Sequence, residues 1–130
     1  MLYQVAQQAH RLLCDHLDTT GLRIQHYRAM AGLAELGECA QAELARALET
    51  DAGSLALVLS DLERLGAITR KPDPASRRRN LVRCTEHGYE VLREMDDAVN
   101  QANDQLLKSV TAAEREQFHA VLTRINLNER

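Results

Sequence analysis

The chain has 130 residues, of which 45% are hydrophobic and 27% charged, a length and composition typical of one soluble domain. No apolar run approaches the roughly 20 residues that span a bilayer. The first residues also lack the basic and apolar regions of a signal peptide, so we expect a cytoplasmic protein with no membrane partner. The net charge of −3, taken alone, argues against nucleic acid as a partner.

Aromatic residues make up only 3% of the chain, so the core must consist of Leu, Val, Ile and Ala, which favours helices. Apolar residues recur at helical spacing from Leu2 to Leu17 and again from Leu22 to Leu36. We therefore predict a first helix that ends near residues 18–21 and a second helix that ends at Gly37.

Two shorter helices are predicted next, over residues 41–48 and 51–65. Thr50 or Asp51 can cap the second of them. Its apolar residues are predicted to face inward and are Leu55, Val58, Leu59, Leu62 and Leu65. Two short helices joined by a tight turn are typical of a helix-turn-helix.

The period of the sequence changes after Gly66. Residues 67–70 and 80–83 are predicted to be strands, and residues 72–76 a turn, because two prolines there fix φ and remove backbone donors. A β-hairpin directly after a helix-turn-helix is a wing. Residues 70–83 contain six basic residues against the single acid Asp73, so the positive charge of the chain is concentrated in this wing.

A long helix is predicted over residues 85–107, capped by Thr85, with apolar residues at steps of four and three. Thr111 and Glu114 match a capping box at the start of a last helix. The apolar residues of that helix are predicted to face inward and are Phe118, Val121, Leu122 and Ile125.

This order of elements resembles the MarR family of bacterial regulators. The resemblance depends on residues 43–45 (Glu-Leu-Ala), 62–70 (Leu-Glu-Arg-Leu-Gly-Ala-Ile-Thr-Arg), 73–78 (Asp-Pro-Ala-Ser-Arg-Arg) and 85–88 (Thr-Glu-His-Gly). It implies a mainly α fold, a winged helix-turn-helix with long flanking dimerisation helices, of about six helices and a two-stranded wing.

The resemblance also implies how the single domain, residues 1–130, is divided. Residues 1–20 and 108–130 would be dimerisation helices, since their apolar faces exceed what a small core can cover. Residues 38–86 would be the winged helix-turn-helix lobe. Residues 86–107 would be the long helix that connects the two parts.

The implied function is a sequence-specific regulator of transcription, a repressor that binds double-stranded DNA as a homodimer on a pseudo-palindromic operator. Its helix 51–65 would enter the major groove and its wing the minor groove. The candidate DNA contacts are Ser54, Ala56, Leu57, Ser60, Arg70, Lys71, Arg77, Arg78 and Arg79. The family often has Arg where Leu57 stands, and Asp where Ser76 precedes the wing arginines. An alternative is that Leu57 packs on the preceding helix.

A small phenolic or aromatic anion is the inducer class that the resemblance implies. The candidate ligand residues, at the end of the first helix and the start of the second, are His16, Arg23, His26, Tyr27 and Arg28. Cationic groups beside an aromatic ring suit such an anion. The alternative is that Tyr27 belongs to the core and that the histidines bond to neighbouring backbone.

Two other functions remain open from the sequence. A winged helix without DNA affinity can serve as a protein–protein interaction module. A redox-sensing regulator would need a reactive cysteine, for which we expect Cys39 to be partly exposed at a helix start and Cys84 to be buried, whereas Cys14 lies in the first helix. The odd cysteine count argues against a disulfide framework and a structural zinc site. Because phosphate-loop, HExxH and Ser/His/Asp patterns are all missing, we expect no enzyme, no catalytic residue, no cofactor and no metal.

Overall fold

The computed structural model describes residues 1–128, which form six helices and three strands. In chain order they are α1 (Leu2–Asp18), α2 (Ile24–Leu36), β1 (Cys39–Ala40), α3 (Gln41–Ala47), α4 (Ala52–Arg64), β2 (Ile68–Asp73), β3 (Ser76–Cys84), α5 (Glu86–Leu106) and α6 (Ala112–Asn128). The predicted mainly α winged helix-turn-helix is confirmed. The last two residues of the predicted dimerisation segment 108–130 lie outside the described residues.

The starts of three helices follow from side chains that the sequence places there. The Asp51 carboxylate accepts the Ser54 backbone N–H at 2.9 Å at the start of α4. Thr85 Oγ1 accepts the Gly88 N–H at 2.9 Å at the start of α5. Thr111 and Glu114 accept each other's backbone N–H before α6, at 3.2 and 3.0 Å. Each cap satisfies a donor that the first helical turn leaves unpaired.

The sheet has three antiparallel strands in the order β1-β3-β2, not the two that we predicted. The additional strand, β1, pairs Cys39 with Val82 and closes the sheet against the helix-turn-helix. The hairpin strands are also longer than predicted, so the turn is confined to residues 74 and 75. Pro72 lies within β2, where the edge position of that strand tolerates a missing N–H, and the register shifts directly after it.

One core joins α1, α2, α3, α4, the sheet and α5. Its largest fully buried side chains are Leu17, Met30, Leu33, Leu44, Leu59, Leu62, Ile68, Val82 and Met95. Leu65, predicted to face inward, is exposed because it follows the last turn of α4. The predicted inward residues of α6 are wrong for the single chain, since Phe118, Val121, Leu122 and Ile125 are all exposed.

The start of α5 is joined tightly to the segment between α4 and β2. Thr85 donates its backbone N–H to the Ala67 carbonyl oxygen at 3.0 Å and its hydroxyl to the Gly66 carbonyl oxygen at 2.6 Å. Gly88 fits here because it has no side chain. A Cβ at this position would overlap the Ala67 carbonyl oxygen and lie 2.8 Å from Cys84 Sγ.

None of the helices within residues 1–128 is both long enough and apolar enough to cross a membrane.

Candidate nucleic-acid interface

The helix α4 has a buried face and an outward face. Leu55, Leu59 and Leu62 repeat at helical spacing and pack into the core. The outward face consists of Ala52, Gly53, Ser54 and Leu57, which are all exposed. Leu57 is 72% exposed, so it does not pack on α3 as the alternative interpretation required.

The two serines of α4 are hydrogen-bonded within the chain. Ser54 Oγ donates to Asp51 Oδ1 at 2.7 Å. Ser60 Oγ donates to the Ala56 carbonyl oxygen at 2.9 Å and accepts from the Arg70 guanidinium at 3.1 Å. Arg70 also contacts Glu63 at 3.0 Å, and its side chain is only 21% exposed. Ser60 and Arg70, both predicted DNA contacts, thus join α4 to β2.

A histidine–carboxylate pair links α2 to α4. His26 Nδ1 accepts the Arg23 backbone N–H at 3.1 Å, which leaves Nε2 to donate to Asp61 Oδ2 at 3.0 Å. Asp61 also pairs with Arg64. The hydrogen bond from His26, and then the charge of Arg64, hold the pKa of the Asp61 carboxyl below its usual value. The carboxylate on α4 is therefore fixed by residues of its own chain.

The wing, formed by β2 and β3, presents arginines in two different states. Arg77 and Arg78 are exposed and make no side-chain hydrogen bond or ion pair with any other residue of 1–128. Arg79 contacts Glu43 on α3 at 2.7 Å and Asp73 at 3.6 Å. Arg79 therefore attaches the wing to the helix-turn-helix, while Arg77 and Arg78 remain available to a partner.

The structure thus divides the predicted DNA contacts into two groups. Five residues on α4 and the wing are exposed or half-exposed and make no side-chain hydrogen bond or ion pair within residues 1–128, namely Ala56, Leu57, Lys71, Arg77 and Arg78. The other four, Ser54, Ser60, Arg70 and Arg79, are engaged within the chain. Sequence reasoning did not identify Glu43 as the partner of Arg79, because 36 positions separate them and no local pattern connects them.

A second exposed surface lies on the terminal helices. We call it the apolar face, and its members on α1 and α6 are Leu2, Val5, Ala6, Ala9, Phe118, Val121, Leu122 and Ile125. Most of these residues line a groove of about 700 Å³ between the two helices. No residue within Ala112–Asn128 is buried in the single chain. A helix of this length is marginal by itself in water when few of its apolar side chains are covered, and Phe118, Val121 and Leu122 each keep about 40% of their surface exposed.

Comparison with known proteins identifies relatives of this winged fold. The model of the MarR family matches residues 22–79. A probable transcriptional regulator from Pseudomonas aeruginosa is 30% identical, with a TM-score of 0.80, over 95% of this chain and 92% of that one. A cysteine-to-serine mutant of MarR from Escherichia coli, solved in complex with operator DNA, is 25% identical, with a TM-score of 0.79, over 95% and 89%. The chain belongs to the MarR family.

A more distant structure shares the fold. It is that of Bordetella bronchiseptica BpsR, a protein whose DNA binding is regulated by 6-hydroxynicotinic acid. The two chains are 21% identical, with a TM-score of 0.81, over 96% of this chain and 95% of that one.

The residues predicted to bind a ligand in this MarR-family chain do not meet at one cavity. Arg23 and Arg28 line a cavity of about 440 Å³ between α1 and α2, together with His10, Cys14, Asp18, Leu22, Ile24 and Gln25. Arg28 also donates to the Leu48 carbonyl oxygen at 2.6 Å. His16 instead bonds Gln105 at 3.0 Å, and His26 bonds Asp61.

Tyr27 belongs to the packing between α2 and α5. Its hydroxyl donates to Asp96 at 2.9 Å, and its ring packs against the core. Burial, and then the hydrogen bond to Asp96, raise the pKa of Tyr27 to about 12. The interpretation of Tyr27 as a core residue therefore fits the structure better than a role in the cavity.

The cysteines of this MarR-family chain differ from the expectation at one position. Cys84 is buried as predicted, but Cys39 is buried as well, because β1 places it in the sheet. Burial, and then the charge of Glu43, raise the pKa of the Cys39 thiol, which disfavours the reactive thiolate. Cys14 is half-buried, and its Sγ lies 3.6 Å from His10 Nε2. Within residues 1–128, no cluster of three His, Cys, Asp or Glu side chains could hold a metal ion.

Proposed function

We propose that this MarR-family protein is a repressor that binds a pseudo-palindromic DNA operator as a homodimer. The observation that carries the proposal is the pair of unengaged arginines, Arg77 and Arg78, on a wing that Arg79 attaches to α3. This ion pair joins the wing to the helix-turn-helix that also contains α4. The MarR relative in complex with operator DNA supports the same function for this chain.

Each element has a distinct task in this proposal. The N-terminal half of α4 enters the major groove, where base edges are distinguishable. Arg78 enters the adjacent minor groove, because narrow A·T segments concentrate negative potential that attracts a guanidinium. Arg77 and Lys71 neutralise phosphates. The concentration of positive charge in the wing offsets the net charge of −3, which belongs to the rest of the molecule.

The dimer follows from the apolar face. Residues 1–20 and 108–130 supply the dimerisation helices, residues 38–86 the DNA-binding lobe and residues 86–107 the connecting helix. Two apolar faces that cover each other would give an interface of the obligate kind, which buries more than about 2,000 Å². Two copies then place their α4 helices about one helical turn of DNA apart, so the operator mirrors the twofold symmetry of the protein.

A small aromatic anion is the proposed inducer. The observation that favours it is the placement of Arg23 and Arg28 on one cavity with the apolar Leu22 and Ile24. The compound that regulates DNA binding by BpsR, 6-hydroxynicotinic acid, is an anion of this class and serves as the first probe. Calorimetric titration should detect binding that Arg23→Gln weakens about tenfold through the lost charge-assisted bond. Equal affinity of both proteins would place the ligand elsewhere.

Selection from a random duplex pool with the purified full-length chain tests the DNA proposal. We expect a recovered site with two related half-sites, since each subunit reads one. Arg78→Ala should then weaken binding by about tenfold or more, and Arg77→Ala should reduce the salt slope by about one unit.

Arg93→Ala is the matched control, because Arg93 is an exposed arginine on α5, away from the wing. It should leave both affinity and salt slope unchanged. The absence of any duplex bound with salt-dependent affinity would reject the proposal and favour the protein–protein interaction module instead.

A further inference from the structure

The outward face of α4 offers almost no hydrogen-bonding groups to DNA. Every polar side chain from residue 51 to residue 64 is bonded to another residue of 1–128. The Ser54 hydroxyl already donates its hydrogen bond to Asp51. Arg64 lies in the last turn, whereas the residues that reach base edges in this motif come from the N-terminal part of the helix.

Leu57 is the one large side chain that projects from the first two turns of α4. It is 72% exposed, and its neighbours on the outward face, Ala52, Gly53 and Ser54, are small. Small neighbours let the helix backbone approach a groove closely, so Leu57 would reach the base edges first. A single exposed leucine is ordinary on a protein surface, but this one stands at the centre of the proposed reading surface.

The chemistry of the major groove gives an apolar side chain one partner. All four bases present hydrogen-bond donors or acceptors there, but among them only thymine also presents a methyl group, at C5. A leucine against a methyl group gains affinity by burial. A leucine against the edge of a G·C pair displaces water from the polar groups of that edge and offers them no hydrogen bond in return.

We propose that Leu57 is the specificity-determining residue of α4, and that it selects operators with a thymine methyl group at a fixed position in each half-site. The inference rests on the proposed DNA-binding function and states which feature of the operator the protein recognises. The major groove is then read by shape and apolar contact, and the remaining selectivity comes from the wing.

Removal of the methyl group alone tests the proposal. In the selected duplex, each thymine is replaced in turn by deoxyuridine, which lacks only the C5-methyl group, and affinity is measured by fluorescence anisotropy. Because one buried methyl group changes affinity about fourfold, we expect that loss at one position per half-site and about 15-fold when both half-sites are changed.

The variant Leu57→Ala separates this contact from a general effect of deoxyuridine on the duplex. It should bind the thymine and deoxyuridine duplexes equally, because the coupling between side chain and methyl group is lost. Arg93→Ala, the matched control, should keep the full loss. In a duplex with cytosine at the sensitive position, 5-methylcytosine should restore part of the affinity for the unsubstituted chain.

The outcomes distinguish this proposal from the proposed function. If the selected duplex binds and no deoxyuridine substitution lowers affinity, the function stands and the role of Leu57 is wrong. The same conclusion follows if Leu57→Ala shows an equal deoxyuridine loss. If no duplex is bound at all, both proposals fall. Circular dichroism should show an unchanged fold for Leu57→Ala, because the side chain is exposed.

Discussion

The DNA-binding lobe and the terminal helices differ in how far one chain completes them. The lobe, residues 38–86, buries Leu44, Leu59, Leu62, Ile68 and Val82 completely. The helix α6 has no fully buried residue within its described range and leaves the apolar face that it shares with α1 partly exposed. The lobe is therefore complete within one chain, whereas the apolar face of the terminal helices is left uncovered and would be covered by a second copy in the proposed homodimer.

The largest effect should come from a charge placed in the apolar face. Leu122→Glu introduces two carboxylates into a twofold interface, since each residue occurs twice. We expect the dimer dissociation constant to rise at least about 1,000-fold, because an unpaired buried charge costs several kcal/mol. Sedimentation velocity should then detect a monomer at micromolar concentration.

Ala120→Glu adds the same charge to the opposite side of α6 and serves as the control. It should leave the dimer intact. If the Leu122→Glu protein remained dimeric, the second copy would bind elsewhere. The contrast between the DNA-binding lobe and the terminal helices would then be wrong.

The next effect concerns the completed lobe. Gly88→Ala forces a Cβ against the Ala67 carbonyl oxygen, which is backbone and cannot move aside cheaply. We expect a loss of about 3 kcal/mol in the free energy of unfolding. Gly53→Ala is the control, because a Cβ there meets only Asp51 Oδ2 at 3.4 Å on an exposed helix. If denaturant unfolding gave the same loss in the free energy of unfolding for both variants, the close packing of Gly88 against Ala67 would be contradicted.

A smaller effect is expected where α2 packs against the connecting helix α5. Tyr27→Phe removes the hydrogen bond from α2 to Asp96 on α5 and should cost about 1.5 kcal/mol of stability at neutral pH. The raised pKa of Tyr27 also predicts a pH dependence. Because the folded protein holds this proton more tightly than the unfolded chain, its contribution is complete below about pH 10 and is lost as pH rises towards 12.

Unfolding experiments at about pH 9 and about pH 11, on either side of the ordinary tyrosine pKa, test this sign. The wild-type chain should lose more stability between the two pH values than Tyr27→Phe does. Tyr89→Phe is the control, since Tyr89 is half-exposed, and it should behave like the wild-type chain. An equal loss in wild type and Tyr27→Phe would assign the alkaline transition to other groups.

The sequence predicted the features that depend on neighbouring residues. The Asp51, Thr85 and Thr111 caps depend on residues within one helical turn. The inward leucines of α4 were predicted because the spacing of apolar residues marks the buried face of a helix. The strand β1 was missed because two residues carry no periodic signal. The partner of Arg79 was missed for the related reason that a salt bridge over 36 positions leaves no pattern in the sequence.

The burial of two residue groups could not be predicted from local sequence patterns. Cys39 was expected to be partly exposed at a helix start, and the pairing of β1 with β3 explains its burial. The α6 residues were expected to face inward, and the periodicity correctly marked an apolar side. Periodicity does not reveal whether the covering surface belongs to the same molecule or to another.

Because Gly88 packs closely against the Ala67 carbonyl oxygen, the start of α5 is held firmly against the DNA-binding lobe. The helix α5 is about 30 Å long. Its cap residue, Thr85, is hydrogen-bonded to the carbonyl groups of residues 66 and 67, which lie between α4 and the wing. If α5 tilted by about 5° at its dimer end, the outward face of α4 and the wing would therefore move by about 3 Å. In the proposed homodimer, small rearrangements between the subunits would thus change the distance between the two DNA-binding lobes without any change inside either lobe.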